Sequence, residues 1–323
     1  MKKQLLTAAL MLGSILFFEA CKKDKDNNNV TPGTTMNNMG DFVKKHGVPR
    51  QTFSFNTSEL PKTFTLAQGT KITIQANSLM MNGAPVTGDL KLNAYEIMKR
   101  SDAVYTGTNT NHVSGAPLIS DGFFFLDITK DGISIDKNLA IPYNVQMPTP
   151  REGEFTNLWV GDTDLNGTGQ MGWALPLNGG VDSIKAVDSV FNFSMRDLGW
   201  VNCDVFYASS NPKTTVTVTL TNNPGALASF MGGGGETFVF FCAQGENVVA
   251  QIYTPVGTNG VKSYDNSMPI GTSGRLLAFC IKDGKFHLAK QDVTITANLS
   301  ATLNMEETTE ANIQSEIDAL DGY

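Results

Sequence analysis

Thr214-Thr215-Val216-Thr217-Val218-Thr219-Leu220-Thr221 alternates apolar and hydroxyl side chains, with Val216, Val218 and Leu220 at every second place. Successive strand residues point to opposite faces, so this run has one dry face and one wet face. A helix would scatter the same apolar residues around its circumference. The period recurs outward from this stretch. It is seen at Ile72 and Ile74, at Leu90, Leu92 and Ala94, at Phe191, Phe193 and Met195, and at Val201, Cys203 and Val205. Phe123 to Ile128, Phe238 to Cys242, Val248 to Tyr253 and Leu276 to Ile281 are apolar runs of strand length. Asp131-Gly132 and Asp283-Gly284 sit where two-residue hairpin turns belong. About fourteen short strands follow from this spacing, which predicts an all-β chain of two β-sandwich domains in tandem. A short helix is expected over 37–47, closed by Gly47. A short acidic helix is expected at the C-terminus, with Ile313, Ile317 and Leu320 on one face.

The first 20 residues read as a leader. Lys2 and Lys3 precede an apolar stretch from Leu5 to Phe18, and the small residue Ala20 stands directly before Cys21. The apolar stretch is too short to span a bilayer, which takes about 20 residues. A small residue followed by Cys at this place resembles the lipobox of bacterial lipoproteins. That resemblance implies that Cys21 becomes the acylated (palmitate-bearing) mature N-terminus. Several acyl chains on one residue would make attachment effectively permanent. The polar stretch behind Cys21 has no apolar period and reads as a tether. Its charges, Lys22, Lys23, Asp24, Lys25 and Asp26, resemble the export signal of surface-displayed lipoproteins. The expected order is a signal peptide (1–20), a tether (21–38), a first sandwich (39–180), a second sandwich (181–300) and an acidic tail (301–323). The expected place is the outer membrane, lipid-anchored and surface-exposed, with a periplasm-facing orientation as the alternative.

With 31 acidic and 24 basic residues the chain carries a formal charge of −7. That balance argues against nucleic acid as a partner, because phosphate backbones are held by Lys/Arg clusters. Cys242 and Cys280 lie inside apolar runs and read as small buried hydrophobes, with a disulfide among Cys203, Cys242 and Cys280 as the alternative.

Two further stretches carry a family resemblance. GTKITIQANSLMMNGAPVTGDLKLNAYEI (Gly69 to Ile97) and GAPLISDGFFFLDITKDGISI (Gly115 to Ile135) resemble a ZU5-like β-sandwich. LGWVNCDVFY (Leu198 to Tyr207) is similar to a stretch that accompanies such domains in uncharacterised bacterial surface lipoproteins. The resemblance implies a sandwich fold and an interaction role. Some relatives cleave themselves at a His-Phe-Ser site, and no His-Phe-Ser occurs in this sequence.

Candidate chemistry is sparse. Asp162-Thr163-Asp164-Leu165-Asn166-Gly167 matches the first half of a Ca²⁺ loop, with Asp162, Asp164 and Asn166 as oxygen ligands. Trp173 occupies the place of the closing Glu, so a complete EF-hand is excluded; a polar hairpin loop is the competing reading. His46, His112 and His287 are far apart, no Gly-x-Ser-x-Gly elbow occurs, and no catalytic residue is assigned. Met231-Gly232-Gly233-Gly234-Gly235 lacks the Lys-Ser/Thr of a phosphate loop and reads as a loop tip. Tyr253, Tyr264 and Trp200 are the aromatic candidates for a glycan platform; core or rim packing is the competing reading, and Trp200 reads as a core residue. Asp182-Ser183-Ile184 and Asp188-Ser189-Val190 resemble bacterial O-glycosylation patterns. The expected role is non-catalytic binding or structure in the cell envelope, with a protein or glycan ligand. The alternatives are a carbohydrate-acting hydrolase, and a glycan-binding accessory protein of an outer-membrane uptake system.

Overall fold

A computed structural model describes residues 35–176 and 183–323. The leader, Cys21, tether residues 21–34 and Asp182 lie outside the described residues. The described chain is all-β, with four main sheets. In sheet I the strands run, in spatial order, Gln51–Asn56, Asp89–Ile97, Leu118–Lys130, Gly199–Phe206, Phe155–Asp162 and Gly172–Ala174. Sheet II is Val190–Asp197, Asn138–Pro148, Lys71–Ile74 and Lys62–Thr65. Sheet III is Val249–Gln251, Thr237–Ala243, Ser273–Lys282, Lys285–Thr294 and Glu306–Thr308. Sheet IV is Thr254–Val256, Gly260–Lys262, Thr217–Thr221 and Ser300–Asn304. Pairing within these sheets is antiparallel except where Thr217–Thr221 runs parallel to Ser300–Asn304.

Three apolar clusters account for these strands. Sheets I and II contribute Leu92, Phe124, Leu126, Tyr143, Val145 and Phe191 to the first. Sheets III and IV contribute Val218, Leu220, Val239, Phe241 and Ala278 to another. In a third, Phe123, Trp159, Trp173 and Trp200 of sheet I meet Phe238, Phe240, Leu277 and Phe279 of sheet III. The central strands of sheets I and III are therefore dry on both faces and read as unbroken apolar runs. Such runs are usual in parallel sheets covered on both sides; here antiparallel strands meet the same condition.

The chain leaves the first pair of sheets after Phe206. Val190–Asp197 pairs with Asn138–Pro148, and Gly199–Phe206 lies between Leu118–Lys130 and Phe155–Asp162. The strands that flank residue 180 thus belong to the same two sheets. Residues Thr35–Tyr323 cluster as one compact unit, consistent with an apolar cluster shared by both halves.

Three α-helices border that shared cluster: α1 (Met39–His46), α2 (Arg100–Thr106) and α3 (Glu310–Asp318). Asn38 caps α1 through its side chain, and Met39, Phe42 and Val43 are its buried face. Ile313, Ile317 and Leu320 are all buried at the C-terminal end. No helix among the described residues is long and apolar enough to cross a membrane.

One irregularity interrupts the pairing in sheet I. Asn202 pairs with Phe123 and Asp204 pairs with Ser120, so Asp121 and Gly122 together oppose Cys203. This is a β-bulge, which inserts a residue and re-aims its neighbours. Upstream of it Leu118 joins the third cluster, whereas downstream Phe124 and Leu126 join the first.

Candidate functional site

A groove of about 610 Å³ opens over the strands Leu118–Lys130, Phe155–Asp162 and Gly199–Phe206. Phe125, Leu126, Val160, Leu198 and Trp200 form its apolar lining, and Phe230 reaches in from a loop. Asp127, Ser134, Lys137, Thr163 and Asp197 bring hydrogen-bonding groups to the same lining. Trp200 is held from several sides. Its ring stacks on Tyr95 at 6.1 Å and 7°, lies 5.2 Å from Phe125, and meets Phe230 edge-on at 5.9 Å. Glycine at 161 is required by this packing, because a Cβ there would stand 2.7 Å from Trp200 Cβ.

Two loops singled out in the sequence border this groove. In the first, Asp162 Oδ1 accepts from the Asp164 amide at 3.0 Å, and Asp164 Oδ1 accepts from the Gly169 amide at 2.7 Å. Asn166 adopts a left-handed conformation (φ 55°), and Asp162, Asp164 and Asn166 are all exposed. Each aspartate thus spends an oxygen on closing its own turn, the habit that makes Asp common in loops. Trp173 is fully buried and donates through Nε1 to the Asn109 carbonyl at 2.7 Å. Among the described residues no group of three or more His, Cys, Asp or Glu side chains is placed to hold a metal.

The second loop is the glycine run. The Phe230 amide donates to Gly169 O at 2.8 Å, Met231 N to Gly107 O at 2.9 Å, and Met39 N to Gly235 O at 3.3 Å. A Cβ at Gly232 would stand 2.7 Å from Gly40 N. The glycines therefore permit a tight backbone junction between α1, the end of α2 and the 162–169 loop. That junction fixes Phe230 at the groove. A strand, Thr237–Ala243, follows the loop, so its amides do not lead into a helix N-terminus.

The other aromatic candidates lie elsewhere. Tyr253 is buried and donates to the Tyr264 hydroxyl at 3.0 Å, and neither lines the groove. The histidines serve separate neighbourhoods. His46 pairs with Glu310 at 2.6 Å, His112 bonds Ser114 at 2.8 Å beside Trp159 and Phe206, and His287 lies in sheet III. Cys203, Cys242 and Cys280 are buried free thiols. Burial pushes the Cys242 thiol up to about 12, far from a reactive thiolate.

A second set of polar residues was not singled out in the sequence. Beyond the bulge, Asp204 is fully buried; Asn202 Nδ2 donates to its Oδ2 at 2.5 Å, while Oδ1 has no hydrogen-bond partner. Ser120 Oγ donates to Asn202 Oδ1 at 3.0 Å. Thr149 Oγ1 donates to Asp121 Oδ1 at 3.2 Å. Burial pushes the Asp204 carboxyl well above the ordinary carboxylate range, and the neighbouring Asp121 adds to the shift. Asp121 is also raised by burial, against the pull of Arg151. The sequence does hold a signal for this set: in Leu198 to Tyr207, Asn202 and Asp204 share one face of a strand whose other face carries Val201 and Cys203. No family model matches the chain, and no curated protein matches it.

Proposed function

We propose that this chain is a lipid-anchored protein of the bacterial cell envelope that binds a carbohydrate chain in the Trp200 groove without catalysis. One observation carries the reading: an aromatic floor and a hydroxyl, carboxylate and ammonium rim meet in one concave site. Sugars present C–H faces that pack on aromatic rings and hydroxyl edges that need fixed polar partners. The rim carries both signs. Asp127 Oδ2 stands 4.0 Å from Arg50, Asp197 Oδ1 accepts from Asn138 at 2.6 Å, and Lys137 is exposed. Such a rim favours a hydroxyl-rich ligand over a strongly charged one. The anchor at Cys21, the tether and the ZU5-like resemblance support an envelope-facing interaction role, with display at the outer surface as the favoured orientation.

The test is a tryptophan-fluorescence titration of the detergent-solubilised full chain with a panel of neutral oligosaccharides. Trp200 should report binding, and Phe230→Ala should weaken it about tenfold, the effect of losing one aromatic contact. Silence across the panel would overturn the groove assignment. Shortened products in the same mixtures would replace binding by hydrolysis. Intact-mass analysis of membrane-extracted protein tests the anchor separately, and an unmodified Cys21 would remove it.

A further inference from the structure

Away from the groove, a cleft of about 400 Å³ opens beside the bulge. Met98, Lys99, Ser120, Asp121, Arg151 and Glu246 contribute to its walls. Its charges divide into committed and uncommitted groups. Arg100 is buried and donates through Nη1 to Ala243 O at 2.5 Å and through Nη2 to Tyr323 O at 3.4 Å. Asp321 spends both oxygens on Ser101, accepting from its amide at 3.0 Å and its hydroxyl at 2.8 Å. Asp121 is different. Its side chain is 1% exposed, it lines the cleft, and its Oδ2 has no hydrogen-bond partner. Arg151 Nη1 stands 3.6 Å from that oxygen, beyond hydrogen-bond reach, and its Nη2 stands 4.0 Å from Glu154. A buried acceptor without a donor is costly, so a ligand that brings a donor gains the energy of satisfying it.

We propose that this cleft binds a free α-amino acid, its ammonium donating to Asp121 Oδ2 and its carboxylate meeting Arg151. The two charges of an α-amino acid are separated by a single carbon, which matches an acid and a guanidinium that approach closely without bonding. Exposed Lys99 and Glu246 carry one charge of each sign at the same cleft and suit a ligand of zero net charge. Asn247 stiffens the wall, donating to Ser120 O at 2.8 Å and Met98 O at 3.3 Å. The bulge aims Asp121 at the cleft, giving that irregularity a purpose.

The test is isothermal titration of the detergent-solubilised full chain with single amino acids. Two truncated probes accompany them: an alkylamine without the carboxylate and a carboxylic acid without the amine. The intact amino acid should bind at least tenfold more tightly than either probe. Asp121→Asn and Arg151→Gln should each weaken it at least tenfold, and an unchanged urea midpoint for Arg151→Gln, at a half-buried loop side chain, shows that the fold is intact. Phe230→Ala should leave it unchanged, which separates this site from the groove. Equal binding of amine and amino acid, no binding at tens of millimolar, or indifference to both substitutions would overturn the assignment.

Discussion

The strands Leu118–Lys130 and Gly199–Phe206 lie side by side, yet their two ends have opposite characters. One end, at Leu126–Asp127 and Leu198–Trp200, floors an aromatic groove. The other, at Ser120–Asp121 and Asn202–Asp204, buries two carboxylates. Each end holds a glycine in nearly the same unusual conformation, Gly122 at φ +124° and Gly199 at φ +125°. Their surroundings differ completely. A Cβ at Gly122 would stand 2.5 Å from Met98 Sδ, whereas nothing lies within 4 Å of one at Gly199. The same backbone device serves close packing at one end and an open surface at the other.

Exchanging these glycines gives the largest expected effect. Gly122→Ala adds to the backbone strain a displacement of the Met98 and Met147 side-chain ends and should cost about 2–3 kcal/mol in urea unfolding. Gly199→Ala carries the strain alone and should cost about 1 kcal/mol. Equal losses would break the comparison. Next comes Asp204→Asn. The Asp204 carboxyl is raised by burial above its unfolded value of about 3.9. Its contribution is therefore full below that value and is lost as pH rises through the raised folded value. The native chain should lose stability as pH rises above the ordinary carboxylate range. Asp204→Asn should flatten that slope and be about 1–3 kcal/mol more stable at the alkaline end. An unchanged slope would show that the buried end carries no titrating load.

Phe230→Ala tests the groove end by itself. It should lower stability by about 1 kcal/mol, because the ring is half-buried, and leave the Asp204 pH slope untouched. A changed slope would show that the two ends are energetically coupled. The smallest effect belongs to Asp164→Ala, which removes the acceptor of the Gly169 amide. Thermal melts should register about 0.5–1 kcal/mol, the net worth of one exposed hydrogen bond.

What the sequence discloses depends on how many faces of a strand are dry. Thr217–Thr221 has one, so its alternation of buried and half-buried residues is readable directly. Asp131-Gly132 and Asp283-Gly284 both turn hairpins with positive φ at each residue, as their chemistry demands. Thr237–Ala243 is buried at every position, so the run reports burial and conceals the second sheet behind it. Helix α2 was illegible for another reason. Its first turn is capped by Asp321, 220 residues away, and Lys99 provides no side-chain cap. The groove was legible in pieces: Trp200, the 162–167 loop and the glycine run were each visible, but their convergence depends on backbone contacts such as Phe230 N to Gly169 O. The carboxylate end depends on a one-residue slip in register, which no local pattern announces.

The backbone contacts at Met36–Met39 have a mechanical corollary. Asn37 O and Met36 O accept from the Asp283 and Gly284 amides, and Met39 N donates to Gly235 O. Tension transmitted along the polypeptide from before Thr35 would be delivered first to a hairpin tip and to the loop that positions Phe230. Pulling on the protein would strain a wall of its own recognition surface before it reached either sheet interior.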